Sequence, residues 1–282
     1  MTMRHSAPVD GFRLAYERHG SGPPVVLLHG WPGHRGDYRD VVPLLAGHAD
    51  VVAPDLRGFG ESDRHDRPPP EAYSADAQAA SVLGLIEELG LERPVLVGYD
   101  VGNRVARTIA LAQPHAVTAM VLSPPLPGIG ERILRSEEFW YQPFHKLPLA
   151  EQLIDGDRAA VRTYLQHFWD HWSAPGWQLP PDRFDELVDL YARPGAFIAS
   201  IAWYRSGSAG VATALAETPH RIAPPTSVLW PEHDALFPPA WADRLDAFFD
   251  EYELHHLPGV GHYVPLEAPQ AVAEATVRAL PR

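Results

Sequence analysis

Pro94-Val95-Leu96-Val97-Gly98-Tyr99-Asp100-Val101-Gly102 reads as a short apolar strand that turns straight into a helix, expected from about Gly102 to Gln113. Two glycines bracket Asp100 in a G-x-D-x-G pattern, the spacing of a nucleophile elbow. The spacing has a physical reason. So sharp a strand-to-helix turn lifts one side chain clear of the sheet, and the flanking positions have no room for a Cβ. The helix N-terminus behind it favours negative charge. A hydroxyl at the centre would need a base before it could attack, whereas a carboxylate is already a nucleophile at pH 7. It attacks saturated carbon and leaves an ester on the protein, which suits substrates with strained or good leaving groups: epoxides or alkyl halides. Taken alone, an Asp here is more often a helix cap, so the pattern has to be weighed with its neighbours.

Outward from this stretch the chain alternates strands and helices. Val25 to His29 and Val51 to Pro54 are apolar runs, Tyr73 to Leu91 carries a helical apolar stripe, and Val117 to Leu122 is a further strand. This is the pattern of a mostly parallel sheet covered by helices. From Pro124 to about Pro224 the texture changes to helix-like segments rich in aromatics, including Trp140, Trp169, Trp172, Trp177 and Trp203. The strand rhythm resumes at Thr226 to Trp230, followed by a helix near Pro239 to Phe249, a strand near Tyr252 to His256 and a last helix from about Leu266 to Leu280. The expected organisation is a core of residues 1–123 and 225–282 with a helical cap, 124–224, inserted over the strand ends, where open α/β sheets bind ligands.

Three segments in order carry a family likeness: His29-Gly30-Trp31-Pro32 after one strand, Asp55-Leu56-Arg57-Gly58-Phe59-Gly60-Glu61-Ser62 after the next, and the Asp100 elbow. Together they resemble the epoxide-hydrolase and haloalkane-dehalogenase branch of the α/β-hydrolase family, closest to the epoxide hydrolases. The resemblance implies an α/β-hydrolase fold, a mostly parallel twisted sheet flanked by helices with an inserted helical cap. It also implies a covalent mechanism with Asp100 as nucleophile and the backbone N–H groups of Trp31 and Val101 as oxyanion hole. Family order puts the acid at Asp234, beside Glu232 and His233, and the base at His262 in Gly259-Val260-Gly261-His262. Neither metal nor organic cofactor is implied.

Which electrophile is attacked is read from the neighbours. Haloalkane dehalogenases place a Trp after the nucleophile to grip the halide, and here Val101 has no donor. Fluoroacetate dehalogenases place Arg after the Asp and again four residues on, and carry the acid near position 123. Here those positions hold Val101, Arg104 and Ser123, and Arg104 is equally read as a structural arginine. Epoxide opening needs a donor for the ring oxygen, usually a cap Tyr phenol. Trp203-Tyr204-Arg205 resembles the segment that supplies one. For the second, spacing to Pro148 puts Phe144 in the usual place, with Tyr141 one turn earlier and His145 adjacent. Trp31, Phe144, His145 and Trp203 are the expected substrate-contact residues, although aromatics also pack caps. The expected activity is conversion of an apolar epoxide to a vicinal diol. The alternatives are a dehalogenase with the same nucleophile and a ligand-binding protein without turnover.

Composition narrows the partners. The 282 residues carry a formal charge of −13, which argues against nucleic acid or an anionic membrane surface. With no cysteine, disulfides and thiolate metal sites are excluded. No apolar run approaches a membrane span, and residues 1–20 lack the apolar core of a secretion signal, so a cytoplasmic location is the expectation. Oligomeric state is not legible.

Overall fold

The computed structural model describes residues 3–124, 132, 136–207 and 221–281. One eight-stranded sheet organises the chain in the order β1-β2-β4-β3-β5-β6-β7-β8. β1 (Arg4–His5) and β2 (Ala15–Gly20) are antiparallel to their neighbours. β3 (Pro24–Leu28), β4 (Asp50–Pro54), β5 (Val95–Tyr99), β6 (Ala119–Ser123), β7 (Thr226–Pro231) and β8 (Tyr252–Leu257) run parallel. The middle strands β5 and β6 are buried along their whole length, which is why they read as continuous apolar runs.

The β1–β2 hairpin is the part of the sheet that periodicity does not announce. Beyond Ala15 and Tyr16, β2 alternates half-buried and exposed polar residues, including Arg18 bonded to Asp50 across to β4. The helices on the sheet are α1 (Ala75–Glu88), α2 (Val101–Ala112) and, at the end, a short α8 (Val264–Glu267) broken from α9 (Pro269–Ala279). The break falls at Ala268, before Pro269, where proline disfavours helical geometry in the preceding residue. Where a helix is expected near 239–249, the chain forms a run of 3-10 helix over Pro239–Ala247.

Between β6 and β7 lie α3 (Tyr141–Lys146), α4 (Pro148–Ile154), α5 (Arg158–Trp172), α6 (Pro181–Tyr191) and α7 (Ala196–Arg205). They pack on one another and bury Phe168, Trp172, Tyr191, Trp203 and Tyr204 in the same apolar cluster as the sheet. The expected boundaries of this segment, at 123/124 and 224/225, fall just after β6 and just before β7, while residues 125–131, 133–135 and 208–220 within it lie outside the described residues.

Register decides what meets at the strand ends. Leu28 of β3 sits opposite Gly98 of β5, and Tyr99 sits opposite Ser123 of β6. Two residues past those pairs on β3 and β5, Gly30 and Asp100 are therefore abreast. A Cβ on Gly30 would come within 2.8 Å of the Asp100 Cβ.

Candidate active site

Asp100 occupies the turn between β5 and α2 with φ 48° and ψ −116°, outside the regions that L-residues favour. The flanking glycines explain how so tight a turn is built. A Cβ on Gly98 would lie 2.6 Å from the backbone of Gly102, and one on Gly102 would strike the Leu28 carbonyl. Such backbone strain costs about 1–3 kcal/mol. Against it stand charge-assisted bonds to the carboxylate, each worth about 1.5–3 kcal/mol.

Those bonds also dispose of the helix-cap reading. The Asp100 side chain makes no capping bond to its own helix. Instead Oδ1 accepts from the Trp31 N–H at 2.8 Å, sixty-nine residues upstream, and the Val101 N–H, at the first residue of α2, acts with it to favour the charged carboxylate. Burial raises the carboxyl pKa above its ordinary value, opposed by the charge of His262 and by these two N–H groups.

The remaining oxygen, Oδ2, lies 3.7 Å from His262 Nε2. His262 is fully buried and its Nδ1 lies 2.9 Å from Asp234 Oδ2. Asp234 is itself fixed, its Oδ1 accepting from the N–H groups of Leu236 at 2.8 Å and Phe237 at 3.0 Å. The tautomer is set by this network: Nδ1 carries a proton toward Asp234, and Nε2 faces Asp100. Burial disfavours the imidazolium, but the charge of Asp234 and its hydrogen bond, with the charge of Asp100, outweigh burial and raise the His262 pKa. Of the acidic cluster 232–234, Asp234 is the member at the histidine. Glu232 is exposed and accepts from the Gly259 N–H, and the exposed His233 ring lies 3.7 Å from Glu232.

The loop carrying Trp31 is built on a neutral histidine. His29 is fully buried, with Nε2 accepting from the Leu56 N–H at 3.0 Å and Nδ1 2.9 Å from the Gly30 carbonyl. Burial drives its pKa down to about 4, so no charge competes with Asp100 from this side.

Above the strand ends the Trp31 indole is enclosed by rings. Tyr141 stacks on it at 5.6 Å, and Tyr204, His145, Phe168 and Trp172 meet it edge-on at 4.7–6.3 Å. The Tyr141 and Tyr204 rings are 5.5 Å apart, edge to face. Burial raises both phenol pKa values, and the Asp100 charge contributes to each. Both hydroxyls therefore stay protonated within the field of the carboxylate.

Tyr141 and His145 share the buried face of α3, while Phe144 turns roughly 60° away and packs half-buried on Trp140 and Tyr164. The structure thus brings Tyr141, not Phe144, to the indole. His145 is buried beneath, its Nε2 2.9 Å from the Tyr164 hydroxyl, and burial lowers its pKa to about 3, keeping it neutral. Trp203 is buried in the main core but is not among the rings that meet Trp31 within the described residues. Arg104 is half-buried, and burial lowers its pKa against the charge of Asp76 in α1.

One contributor is missing from the sequence reading. Glu267 accepts from the N–H groups of Gly261 at 2.8 Å, Tyr263 at 3.1 Å and Ala174 at 2.9 Å. It braces the loop on both sides of His262 and ties it to the chain beyond α5. Its only sequence signal is an acidic residue in the first turn of a short helix, which many helices share.

The fold and this site define the class. Residues 23–269 match the α/β-hydrolase fold family, and the chain belongs to it. Among its relatives is the soluble epoxide hydrolase of Corynebacterium sp. (strain C12), 28% identical over 290 residues that cover 97% of this chain and 96% of that protein. A fluoroacetate dehalogenase of Burkholderia sp is 32% identical over 195 residues, covering 67% of this chain and 64% of that one. The solved structure of the epoxide hydrolase CorEH without ligand superposes with a TM-score of 0.84 at 26% identity, covering 98% of this chain and 97% of the other.

Proposed function

We propose that the protein hydrolyses an apolar epoxide to a vicinal diol through an ester on Asp100, with the helical segment 124–224 acting as a cap that carries the acid groups. The observation that carries this reading is the pair of buried, protonated phenols, Tyr141 and Tyr204, on the Trp31 indole beside the carboxylate. An opening epoxide needs donors for an oxygen that stays on the substrate. Two phenols supply them, whereas a departing halide needs no proton.

In the first step Asp100 Oδ2 attacks a ring carbon, the carbon–oxygen bond breaks, and the oxygen takes a proton from Tyr204 assisted by Tyr141. Oδ1 keeps its bond from the Trp31 N–H, with the Val101 N–H as the second donor of the oxyanion hole. In the second step His262 Nε2 takes a proton from water and hydroxide adds to the Asp100 carboxyl carbon. The oxyanion forms on Oδ1. Collapse breaks the bond from that carbon to Oδ2, and the diol leaves as it regains the proton held by His262. Asp234 keeps the ring oriented and offsets the imidazolium charge. The new Asp100 carboxyl gives up its proton and the Tyr204 phenolate takes one up through solvent, which restores both groups.

The reading over a haloacid dehalogenase, which the Burkholderia relative raises, is supported by Arg104. Burial lowers its pKa and the charge of Asp76 opposes this, with no contribution from Asp100, and the place directly after the nucleophile, where the clamp's other Arg would stand, is Val101. Val101 likewise offers no side-chain donor to a halide.

The test is His262→Gln incubated with a panel of epoxides, haloalkanes and haloacids, followed by mass spectrometry of the peptide containing 98–102. An epoxide adduct on Asp100, with diol from the wild type, is expected. Adducts and halide release only from the halides would replace epoxide opening by dehalogenation. Diol from the wild type with no adduct in the variant would refute the covalent route.

A further inference from the structure

We propose that Tyr191, at the end of α6, is a positioning residue that holds the oxyanion loop and thereby sets the rate of ester hydrolysis. This rests on the covalent reading above and adds to it a link between the cap helices and one of the two half-reactions.

The hydroxyl of Tyr191 makes two hydrogen bonds and both end on Gly33: it accepts from the Gly33 N–H at 3.0 Å and donates to the Gly33 carbonyl at 3.0 Å. Bonding the N–H and the C=O of one residue fixes the peptide planes on both sides of it. Gly33 is two residues beyond Trp31, whose N–H holds Asp100 Oδ1 at 2.8 Å. The residue cannot be fixed by a side chain of its own, because a Cβ there would strike the Asp37 carboxylate. Asp37 also holds the loop, accepting from the His34 N–H at 3.2 Å and the Tyr99 hydroxyl at 2.6 Å. Tyr191 is buried and burial raises its pKa, so the phenol stays neutral and both donates and accepts. A second, weaker hold comes from α7, where Ser200 Oγ accepts from the Trp31 indole N–H at 3.3 Å.

Tyr191 touches none of the reacting atoms, so its effect passes through the Trp31 N–H, and the two half-reactions feel that group differently. During attack on the substrate the carboxylate loses charge, and the bond to Oδ1 weakens as the reaction proceeds. During hydrolysis hydroxide adds to the carboxyl carbon, the carbonyl electron pair moves onto Oδ1, and the bond strengthens toward the transition state. Only the second change accelerates a step. Loosening the loop therefore slows hydrolysis and spares ester formation.

The experiment is rapid-quench single turnover with an aryl epoxide, styrene oxide, following the mass of the 98–102 peptide in the wild type, Tyr191→Phe and Ser200→Ala. In Tyr191→Phe, ester formation should stay within about threefold of the wild type. Its clearance should slow about 10–100-fold, less than the roughly 100–1,000-fold for outright loss of an oxyanion donor. Ser200→Ala should show the same asymmetry at a few-fold. Single-turnover rates refer to folded molecules, and Ser200→Ala carries the test should Tyr191→Phe fail to accumulate. Equal slowing of both steps, or clearance at the wild-type rate in the variants, would overturn the proposal while leaving the ester mechanism standing. Diol from the wild type with no adduct in either the wild type or His262→Gln would instead overturn the ester mechanism, and this inference with it.

Discussion

The two halves of the site are positioned by different physics. On the core side, Asp100, Trp31, His262 and Asp234 are set at strand ends and held by directional bonds of 2.8–3.0 Å, several from backbone N–H groups. On the side of the helices between β6 and β7, Tyr141, Tyr204 and His145 are set by ring packing around one indole at 4.7–5.6 Å. Hydrogen bonds fix angles and distances together, whereas ring packing tolerates rotation and substitution. Core residues are therefore expected to act as a unit that fails outright, and residues of the helical segment to fail by degrees.

The comparison can be sharpened by substitution. Tyr204→Phe should lower the ester-formation rate by about 100-fold and Tyr141→Phe by about 10-fold, near the lower end of general-acid contributions. The double variant should lose more than either, while hydrolysis of a preformed ester stays near the wild-type rate. Steady-state kinetics with quench-flow partition measures both. A Tyr141→Phe enzyme with unchanged formation would return that residue to a packing role.

A smaller effect is expected in the pH dependence of hydrolysis. His262 must be neutral to take a proton from water, and its pKa is raised in the free protein by Asp234 and Asp100 against burial. The free protein should therefore titrate above the ordinary histidine value of about 6.5, whereas hydrolysis, which starts from an ester in which Asp100 has lost its charge, should rise with pH through a lower midpoint. Asp234→Asn should move the midpoint further down. A midpoint that rises in that variant would contradict the assigned roles.

The smallest effect is expected at Phe144. It packs on Trp140 and Tyr164 rather than on Trp31, so Phe144→Leu should change kcat/KM by less than about threefold. That is the scale of a rearranged apolar contact rather than of a lost acid.

The same contrast explains what the sequence reveals. The parallel strands, the elbow, the His29–Pro32 loop and the order Asp100, Asp234, His262 were legible because buried strands leave apolar runs, and the motif residues sit directly at their ends. The helix-cap alternative for Asp100 was settled only by the bond from Trp31, which joins residues far apart in sequence. In the helical segment a shift of three residues on a six-residue helix decides whether Tyr141 or Phe144 meets the indole, and spacing to Pro148 does not encode that rotation. Tyr191 and Glu267 were invisible for a further reason: their partners are backbone groups of Gly33, Gly261, Tyr263 and Ala174, which carry no side-chain signature. The antiparallel β1–β2 edge was hidden by its polar, partly exposed residues.

The central claim, that the Asp100 carboxylate attacks the substrate, is tested most directly by the fate of oxygen. One turnover of the wild type with excess enzyme in 18O-labelled water should give a diol with no label and a 98–102 peptide heavier by one labelled oxygen. The diol takes Oδ2 of Asp100, and water replaces it on the carboxylate. Label in the diol after that first turnover, with Asp100 unlabelled, would mean that water attacks the substrate itself and would contradict the account.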